Sequence, residues 1–230
     1  MAYMEPIHKA AWNADVEALR RVLGEGVSAN LKSDGCVPLH HLCSDDQGDS
    51  DNRVVCFKLL VDAGADVNAE ISPTRSTPLS FAAGYGHPKL VAALINAGAN
   101  VNCHNSAGWT PLHFACRRHP PSVECVELLL NAGAAVNATT NCRAPRRTPL
   151  DIAINRGTQE RIYPTLLRAG ATHSQETTDA YLQKVRAAGG IENYERAHLA
   201  TLTATFTSKL RLPARPTRRV VEYAFHAGDY

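Results

Sequence analysis

Residues 77–102 decide the fold of this chain, and their sequence is TPLSFAAGYGHPKLVAALINAGANVN. Thr77-Pro78 predicts a helix start, because a hydroxyl can cap the first free backbone N–H groups and proline is tolerated in the first turn. The apolar residues of a second helix recur at helical spacing: Leu90, Val91, Leu94 and Ile95. Gly84, Gly86 and His87-Pro88 are predicted to separate the two helices. Gly98 stands where a left-handed cap ends the second one.

Two helices of this length cannot bury a core alone, and the same pattern recurs along the chain. Each copy opens with a proline followed by Leu or Ile and closes on an Ala-Gly or Glu-Gly pair. The opening prolines, separated by 32, 40, 33 and 38 residues, are Pro6, Pro38, Pro78, Pro111 and Pro149. Recurrence at intervals of this size indicates a stack of repeats in which each unit buries its apolar face against its neighbours.

The pattern resembles the ankyrin repeat, with TPLHxA at the first helix and a second helix ending in AGAxVN. The fourth copy shows it in TPLHFAC at Thr110–Cys116 and NAGAAVN at Asn131–Asn137. The resemblance covers about residues 5–173 in five copies. It implies an all-α solenoid of helix pairs joined by β-hairpin loops, which binds a protein or peptide in a concave groove.

Two copies are longer than the others. From opening proline to closing glycine the second copy counts 26 residues, against 20 to 22 in the rest. Its excess falls in the acidic segment 44–51, too polar to pack, which we predict to be a loop that folding does not require. The connector 139–147 is also enlarged and contains three arginines. Insertions in repeat proteins go to loops, often on the binding face.

The repeat pattern stops after Ala171. Helices are predicted over residues 177–186, 191–210 and 218–227, with Pro213 and Pro216 between the last two. We therefore divide the chain into a repeat domain, 1–173, and a helical extension, 174–230. The extension either covers the apolar edge of the last repeat or docks a second partner.

Composition and charge narrow the class of protein. The chain is 44% hydrophobic, has no apolar run near the ~20 residues of a membrane span, and lacks a secretory pattern at its start. Its seven cysteines are irregularly spaced, which argues against a disulfide framework. We predict a cytoplasmic or nuclear monomer without a membrane partner. The net charge of +2 disfavours a general nucleic-acid binder.

Charge is unevenly distributed along the chain. Residues 1–100 carry 8 Lys and Arg against 12 Asp and Glu, whereas residues 101–173 carry 8 against 4. In a quasi-one-dimensional stack this difference becomes a gradient from an acidic to a basic end. Either this gradient reflects a preference for a charged partner, or the solvent-exposed faces reached these charges without a binding role.

Several polar residues have structural roles in the family that the pattern resembles. The resemblance implies that His8, His40 and His113 tie one repeat to the next through hydrogen bonds to a threonine hydroxyl and to backbone. It also implies that asparagines brace the hairpins through their side chains: Asn68, Asn102 and Asn137. Ser80 and Asp151 replace the histidine in two copies, which predicts weaker ties there.

No catalytic or metal centre is predicted. Cys36, His40, His41 and Cys43 are close in sequence, but the repeat register places them at packing positions, and a structural zinc site needs four converging ligands. The sequence contains no nucleophile motif, phosphate-binding glycine loop or HExxH. We therefore expect no enzyme activity, no cofactor and no metal.

Because no catalytic or metal centre is predicted, we expect the surface of the repeats to carry the function. Residues at hairpin tips and on the exposed side of each first helix are predicted to bind the partner: Asp34, Glu70, Ser76, Tyr85, His104, Ser106, Trp109, Arg117, Arg118, Arg143, Arg147, Asn155 and Arg156. Trp109 precedes a helix start, where the repeat core has no use for a large ring, so it either anchors a partner or packs on an adjacent hairpin. Trp, Tyr and Arg dominate interface hot spots.

Two functions follow as hypotheses. The first is a non-enzymatic scaffold that binds a protein or extended peptide in the groove between the third and fourth repeats. The alternative is an adaptor that recruits a ubiquitin ligase through its C-terminal helices. Leu212-Pro213 before an amphipathic segment is faintly similar to part of a SOCS box, although Phe206 departs from that pattern. Binding of nucleic acid through the arginines is a third, disfavoured reading.

Overall fold

The computed structural model of the chain describes residues 5–44, 50–141, 146–155, 161–172 and 179–210, with side chains up to Thr201. Within them the chain forms helices and no strand: α1 Pro6–Trp12, α2 Val16–Gly24, α3 Pro38–Leu42, α4 Asp51–Asp62, α5 Pro78–Tyr85, α6 Pro88–Asn96, α7 Pro111–Arg117, α8 Val123–Asn131, α9 Pro149–Asn155, α10 Tyr163–Arg168, α11 Ala180–Ala187 and α12 Ile191–Leu210. The predicted all-α class is confirmed. The chain divides into two compact units, residues 1–174 and 175–230.

The third repeat shows how sequence produces the helix pair. The Thr77 hydroxyl caps α5 by accepting from the Ser80 N–H at 3.4 Å. Gly98, at φ +86°, follows the end of α6 in the left-handed conformation predicted for it. One boundary differs from the prediction: Gly84 lies inside α5, and the helix ends at Gly86, whose φ is +71°. A single glycine inside a helix costs only about 1 kcal/mol relative to alanine, so Gly84 does not end it.

The ten helices α1–α10 stack as two rows. The first helices of successive repeats pack side by side in the inner row, α1, α3, α5, α7 and α9. The second helices pack in the same way in the outer row, α2, α4, α6, α8 and α10. Each repeat therefore contacts its neighbours through both of its helices, as the repeat pattern requires.

Apolar residues at fixed repeat positions form the core between the rows. The residue after each opening proline is at most 1% exposed: Ile7, Leu39, Leu79, Leu112 and Leu150. The residue four positions before each closing glycine is at most 4% exposed: Val22, Leu60, Leu94, Leu129 and Leu166. Full burial of one such side chain stabilises a fold by about 1.5–3 kcal/mol. These two layers extend the core without a break through all five repeats.

Asparagine side chains bridge successive repeats on the outer row. Asn102 Nδ2 donates to the Gly133 carbonyl at 3.1 Å, and its Oδ1 accepts from Ala135 N–H at 2.8 Å. The same two bonds recur at Asn30, Asn68 and Asn137. The predicted side-chain hydrogen bonds form, but their partners differ from the prediction: they join each repeat to the helix end of the next one instead of bracing a hairpin. They satisfy carbonyl and N–H groups that a helix terminus leaves free.

Histidines form the matching ties on the inner row. His113 Nδ1 accepts from the Thr110 N–H at 3.1 Å, and its Nε2 donates to the Arg147 carbonyl of the next repeat at 3.1 Å. His40 makes equivalent bonds to Val37 and Ser76, and His8 Nε2 donates to Cys36. The predicted tie between repeats is therefore confirmed.

The two copies without this histidine form other hydrogen bonds at the same position. The Asp151 carboxylate accepts from the Thr148 N–H at 2.8 Å, and the Thr148 hydroxyl donates to the Thr172 carbonyl at 3.2 Å. The Ser80 hydroxyl lies 3.2 Å from that of Thr77, which in turn lies 3.1 Å from Cys103 Sγ on the following connector. Both repeats thus keep a contact with the chain that follows them, and the small Ser80 leaves space at the inner row.

The loops between repeats form fewer backbone hydrogen bonds than regular β-hairpins do. Only isolated antiparallel bridges form among the described residues, at Ser33–Cys36 and Ile71–Ser76. Neighbouring loop tips are joined instead: the Ser106 N–H donates to the Thr74 carbonyl at 2.8 Å. This bond joins the connector before the third repeat to the connector before the fourth.

The acidic segment of the second repeat ends earlier than predicted. Asp51 is the first residue of α4, and its carboxylate pairs with Lys89 of the next repeat. Arg53, 2% exposed, donates through Nη1 to the Leu42 carbonyl at the end of α3. Residues 45–49, on which the loop prediction depends, lie outside the described residues. Both ends of the segment are therefore anchored by charged side chains.

The second unit contains α11 and α12, which pack on each other. Asp179 caps α11 by accepting from the Leu182 N–H at 3.0 Å. Tyr181 and Tyr194 contact edge to face, with centroids 5.3 Å apart. The helix predicted over 218–227 lies outside the described residues. None of the described helices has the length and apolarity needed to cross a membrane.

Candidate protein-binding groove

A pocket of about 280 Å³ opens between the first helices of the third and fourth repeats. We call it the α5–α7 pocket, and it is lined by Ser76, Ser80, Phe81, Gly84, Tyr85, Phe114, Arg117 and Arg118. Two of these positions carry unusually small residues. Ser80 stands where three other repeats have histidine, and Gly84 stands one helical turn further on. The space is therefore a consequence of two local departures from the repeat pattern.

Aromatic rings form the walls of the α5–α7 pocket. Phe81 and Tyr85, one helical turn apart on α5, have parallel rings with centroids 6.5 Å apart. Phe114 faces them from α7, and its Cβ lies 3.5 Å from the point that a Gly84 side chain would occupy. All three rings are half-buried. They are neither part of the closed core nor fully exposed, and aromatic residues of this kind are enriched at protein interfaces.

Trp109 lies beside the pocket and packs on its own repeat. Its ring lies 5.4 Å from that of Phe114 and 5.9 Å from that of His113, centroid to centroid. The guanidinium carbon of the exposed Arg117 lies 5.7 Å from the Trp109 centroid, within the range of a cation–π contact. Trp109 is half-buried, so it supports Arg117 at the pocket edge while keeping part of its own surface accessible.

Arg118 is held by the backbone of two repeats. Its Nε donates to the Tyr85 carbonyl at 2.6 Å, and its Nη1 donates to the Pro120 carbonyl at 2.8 Å. The first bond satisfies a carbonyl at the end of α5, where Gly86 turns the chain. Arg118 therefore shapes the pocket and keeps a positive charge beside it.

The predicted residues of the second and third repeats have mixed surroundings. Asp34 is exposed at a loop tip with φ +50°. Glu70 is exposed and pairs with Arg75 at 2.9 Å. Ser76 is only 8% exposed, and its carbonyl accepts from His40. Of this group, Ser76 and Tyr85 reach the α5–α7 pocket.

The remaining predicted residues follow the edge of the loops. His104 and Ser106 are exposed on the third-to-fourth connector. Arg147 is exposed on the next one, where its backbone pairs with Thr140. Asn155 is exposed at the end of α9, and its side chain donates to the Asp151 carbonyl. Arg143 and Arg156 lie outside the described residues.

Burial keeps two tying histidines of the inner row neutral, and the neutral form suits their structural hydrogen bonds. Burial lowers the pKa of His40 to about 4, and burial also lowers the pKa of His113. Both rings are neutral at neutral pH, which allows one nitrogen to accept and the other to donate. Burial likewise lowers the pKa of His41 to about 4, with a contribution from His8.

The thiols are poorly suited to nucleophilic chemistry. Burial raises the pKa of Cys43 to about 12 and that of Cys56 to about 11, and it raises the pKa of Cys116 as well. A protonated buried thiol is an inert packing residue. In the described part of the chain, no three His, Cys, Asp or Glu side chains converge as metal ligands would.

Four pocket residues were missed from the sequence: Ser80, Phe81, Gly84 and Phe114. Phe81 and Phe114 occupy the position directly after that of the tying histidine, and both are half-buried. Alignment of the copies gives Lys9, His41, Phe81, Phe114 and Ile152 at this position. Two phenylalanines in adjacent repeats, next to small residues in one of them, are the signal that could have found the pocket.

A model of ankyrin repeats matches the chain in three overlapping stretches, residues 7–105, 50–140 and 79–177. Human ankyrin repeat and SOCS box protein 16 is 35% identical over 175 residues, which cover 72% of this chain and 36% of that protein. Human ankyrin repeat domain-containing protein 37 is 28% identical over 152 residues, which cover 63% of this chain and 93% of that protein.

A plant protein is also similar. The putative E3 ubiquitin-protein ligase XBAT31 of Arabidopsis thaliana is 37% identical over 101 residues, which cover 39% of this chain and 22% of that protein. The match to this ligase and the match to the human SOCS box protein thus each span about a third or less of the longer relative.

Proposed function

Because the chain belongs to the ankyrin-repeat family, whose repeats are protein-interaction modules, we propose that it is a non-enzymatic scaffold. It binds a protein or extended peptide through the concave side of the repeat stack, with the third and fourth repeats at the centre. The α5–α7 pocket is the observation that carries this proposal.

The pocket supports binding because its aromatic rings are not needed to fill the repeat core. The aliphatic residues of the two core layers already bury the apolar surface between the rows. Phe81, Tyr85 and Phe114 remain half-buried beside an exposed arginine. Large aromatic rings with arginine at a partly open depression have the composition of an interface hot spot.

The state of the reactive side chains supports a binding role over a catalytic one. The histidines of the inner row use their ring nitrogens to join repeats, as His113 does between Thr110 and Arg147. The buried thiols are held protonated by their raised pKa, as at Cys43. We therefore assign no catalytic residue, cofactor or metal.

The described cysteines support our proposal for the compartment. The six described cysteines are free thiols, Cys36, Cys43, Cys56, Cys103, Cys116 and Cys125. Free buried thiols fit a reducing environment. We assign the protein to the cytoplasm or nucleus, as a monomer without a membrane or nucleic-acid partner.

Affinity purification with the full chain as bait tests the proposed function. The matched baits are wild type, the double variant Trp109→Ala/Arg117→Ala, and Arg20→Ala on the exposed side of α2. We expect a partner protein that wild type and Arg20→Ala recover equally and that the double variant recovers at least tenfold less. Equal recovery on all three baits would contradict binding through this groove.

A second function is favoured by the names of two relatives. One is a SOCS box protein and another is a putative E3 ubiquitin-protein ligase. On this reading the helices after the repeats recruit a ubiquitin ligase to the bound protein. Co-purification of a cullin adaptor with the full chain, and its loss in Leu212→Ala/Pro213→Ala, would support this function. No adaptor on the wild-type chain would reject it.

A further inference from the structure

The α5–α7 pocket has the size of one large side chain. Its volume of about 280 Å³ lies at the lower limit of the ~300–1,000 Å³ that is usual for small-molecule sites. Parallel Phe81 and Tyr85 rings form one wall, and Phe114 forms the other. Ser76 and Ser80, 8% and 2% exposed, complete the lining with small polar groups. An apolar side chain can therefore enter between aromatic surfaces without displacing a core residue.

The charge at the pocket has one sign. The charged residues in its lining are Arg117 and Arg118, and no carboxylate lines it in the described part of the chain. Arg118 is fixed by the Tyr85 and Pro120 carbonyls, whereas Arg117 is exposed and supported by the Trp109 ring. A planar guanidinium held in place is a ready partner for a carboxylate, which it binds with two hydrogen bonds.

We propose that the α5–α7 pocket receives a large apolar side chain from an extended peptide segment whose following residues are acidic. The apolar side chain lies between Phe81, Tyr85 and Phe114, and a carboxylate of the segment pairs with Arg117. This proposal rests on the proposed function and names the chemistry of its partner.

Three pools of fluorescent peptides test the proposal on the purified full chain. Each pool is a degenerate twelve-residue library, with the sixth to eighth positions fixed as Phe-Glu-Glu, Ala-Glu-Glu or Phe-Lys-Lys. Wild type should retain the Phe-Glu-Glu pool at least fivefold more than either other pool. Equal retention of the three pools would overturn the proposal.

Two variants separate the apolar from the charged part of the site. Gly84→Leu places a side chain in the pocket and should abolish the preference for Phe over Ala. Arg117→Gln should abolish the preference for Glu over Lys and leave the preference for Phe. Gly24→Leu at the end of α2, where nothing lies within 4 Å of the new Cβ, and Arg20→Gln are the matched controls. Unchanged preferences in the folded pocket variants would contradict the site.

A melting curve for each variant establishes that it is folded, and Gly84→Ala serves in place of Gly84→Leu if the larger residue lowers stability.

Different results would contradict the peptide chemistry and the proposed function. If the pools bind equally while Trp109→Ala/Arg117→Ala still loses a natural partner, the peptide chemistry is wrong and the scaffold function stands. If the double variant keeps every partner, the groove itself is wrong.

Discussion

The guanidinium of Arg117 lies over the ring of Trp109, with 5.7 Å between the Arg117 Cζ and the ring centroid. Trp109 belongs to the loop before α7 and Arg117 to the last turn of α7, so the contact connects the two ends of this helix. The ring limits the orientations of an otherwise exposed side chain. An arginine ordered before binding loses less entropy when it pairs with a partner.

Gly84→Ala should stabilise the protein and weaken partner binding. Alanine replaces glycine inside α5, which is worth about 1 kcal/mol in helix propensity, and its Cβ would lie at an ordinary 3.5 Å from the Cβ of Phe114. The same methyl group narrows the α5–α7 pocket. Urea denaturation and partner titration on one preparation measure both effects. We expect the free energy of unfolding to rise and the affinity for the partner to fall.

Gly86→Ala is expected to destabilise the fold. Gly86 has φ +71°, and an added Cβ would lie 2.5 Å from Arg118 Nε, which bonds the Tyr85 carbonyl. The side chain of Arg118 would have to move and release this bond. We expect a loss of about 1–3 kcal/mol in urea denaturation. Stability equal to wild type would show that Arg118 does not hold the end of α5.

Asn102→Ala should lower stability by uncoupling the third and fourth repeats. The side chain bonds both the Gly133 carbonyl and the Ala135 N–H. Two lost hydrogen bonds with net contributions of ~0.5–1.5 kcal/mol each predict a loss of about 1–3 kcal/mol. Asn96→Ala, exposed at the end of α6, is the control. Equal melting temperatures for the two variants would contradict this coupling.

Acid should weaken the fold between pH 6.5 and about 4. The pKa of His40 is lowered to about 4 and that of His113 is lowered as well, whereas both titrate near 6.5 when unfolded. The unfolded chain therefore binds protons that the folded chain does not, and stability falls as pH falls through this window. Each histidine contributes up to about 1.4 kcal/mol per pH unit.

Urea midpoints at pH 7 and pH 5 check this dependence. His40→Gln should flatten it, while His104→Gln, at an exposed loop position, should leave it unchanged. A pH-independent midpoint in wild type would show that the inner-row histidines are not held neutral.

Removal of residues after Ser174 should destabilise the fifth repeat. Leu166 is fully buried, and residues 174–230 contain no further copy of the repeat pattern that could cover this end of the stack. Thr172 must be retained, because its N–H donates to Asn137. We expect a lower melting temperature and larger species in sedimentation. A monomer as stable as the full chain would show that residues 175–230 are not a cap.

The fold could be predicted from sequence because its determinants are repeated. Opening prolines, buried leucines and closing glycines occur at the same register in five copies, so each copy supports the assignment of the others. The same register located the asparagines and histidines, and the resemblance to the ankyrin repeat implied that their side chains form structural hydrogen bonds. Even the length of α12, from Ile191 to Leu210, followed from the glycines before it and the prolines after it.

The candidate site was harder to predict, because its pocket exists where two positions of one repeat carry smaller residues than the other copies do. Ser80 and Gly84 are these small residues, beside Phe81 and Phe114, and this signal becomes visible only when the copies are aligned with one another. The bond from Arg118 to Tyr85 depends on backbone geometry between repeats. The near burial of Ser76 depends on the approach of His40 from the preceding repeat.

Calorimetric titration of an identified partner into wild type and Trp109→Ala tests the central claim most directly. Loss of a central aromatic residue at an interface typically costs ~2 kcal/mol or more, so Kd should rise at least tenfold. Helical content should be retained, because the helices are held by the leucine core and the asparagine bridges. Arg20→Ala should bind as wild type does. If Trp109→Ala binds as tightly as wild type, the partner does not occupy this groove, and the account of the pocket is wrong.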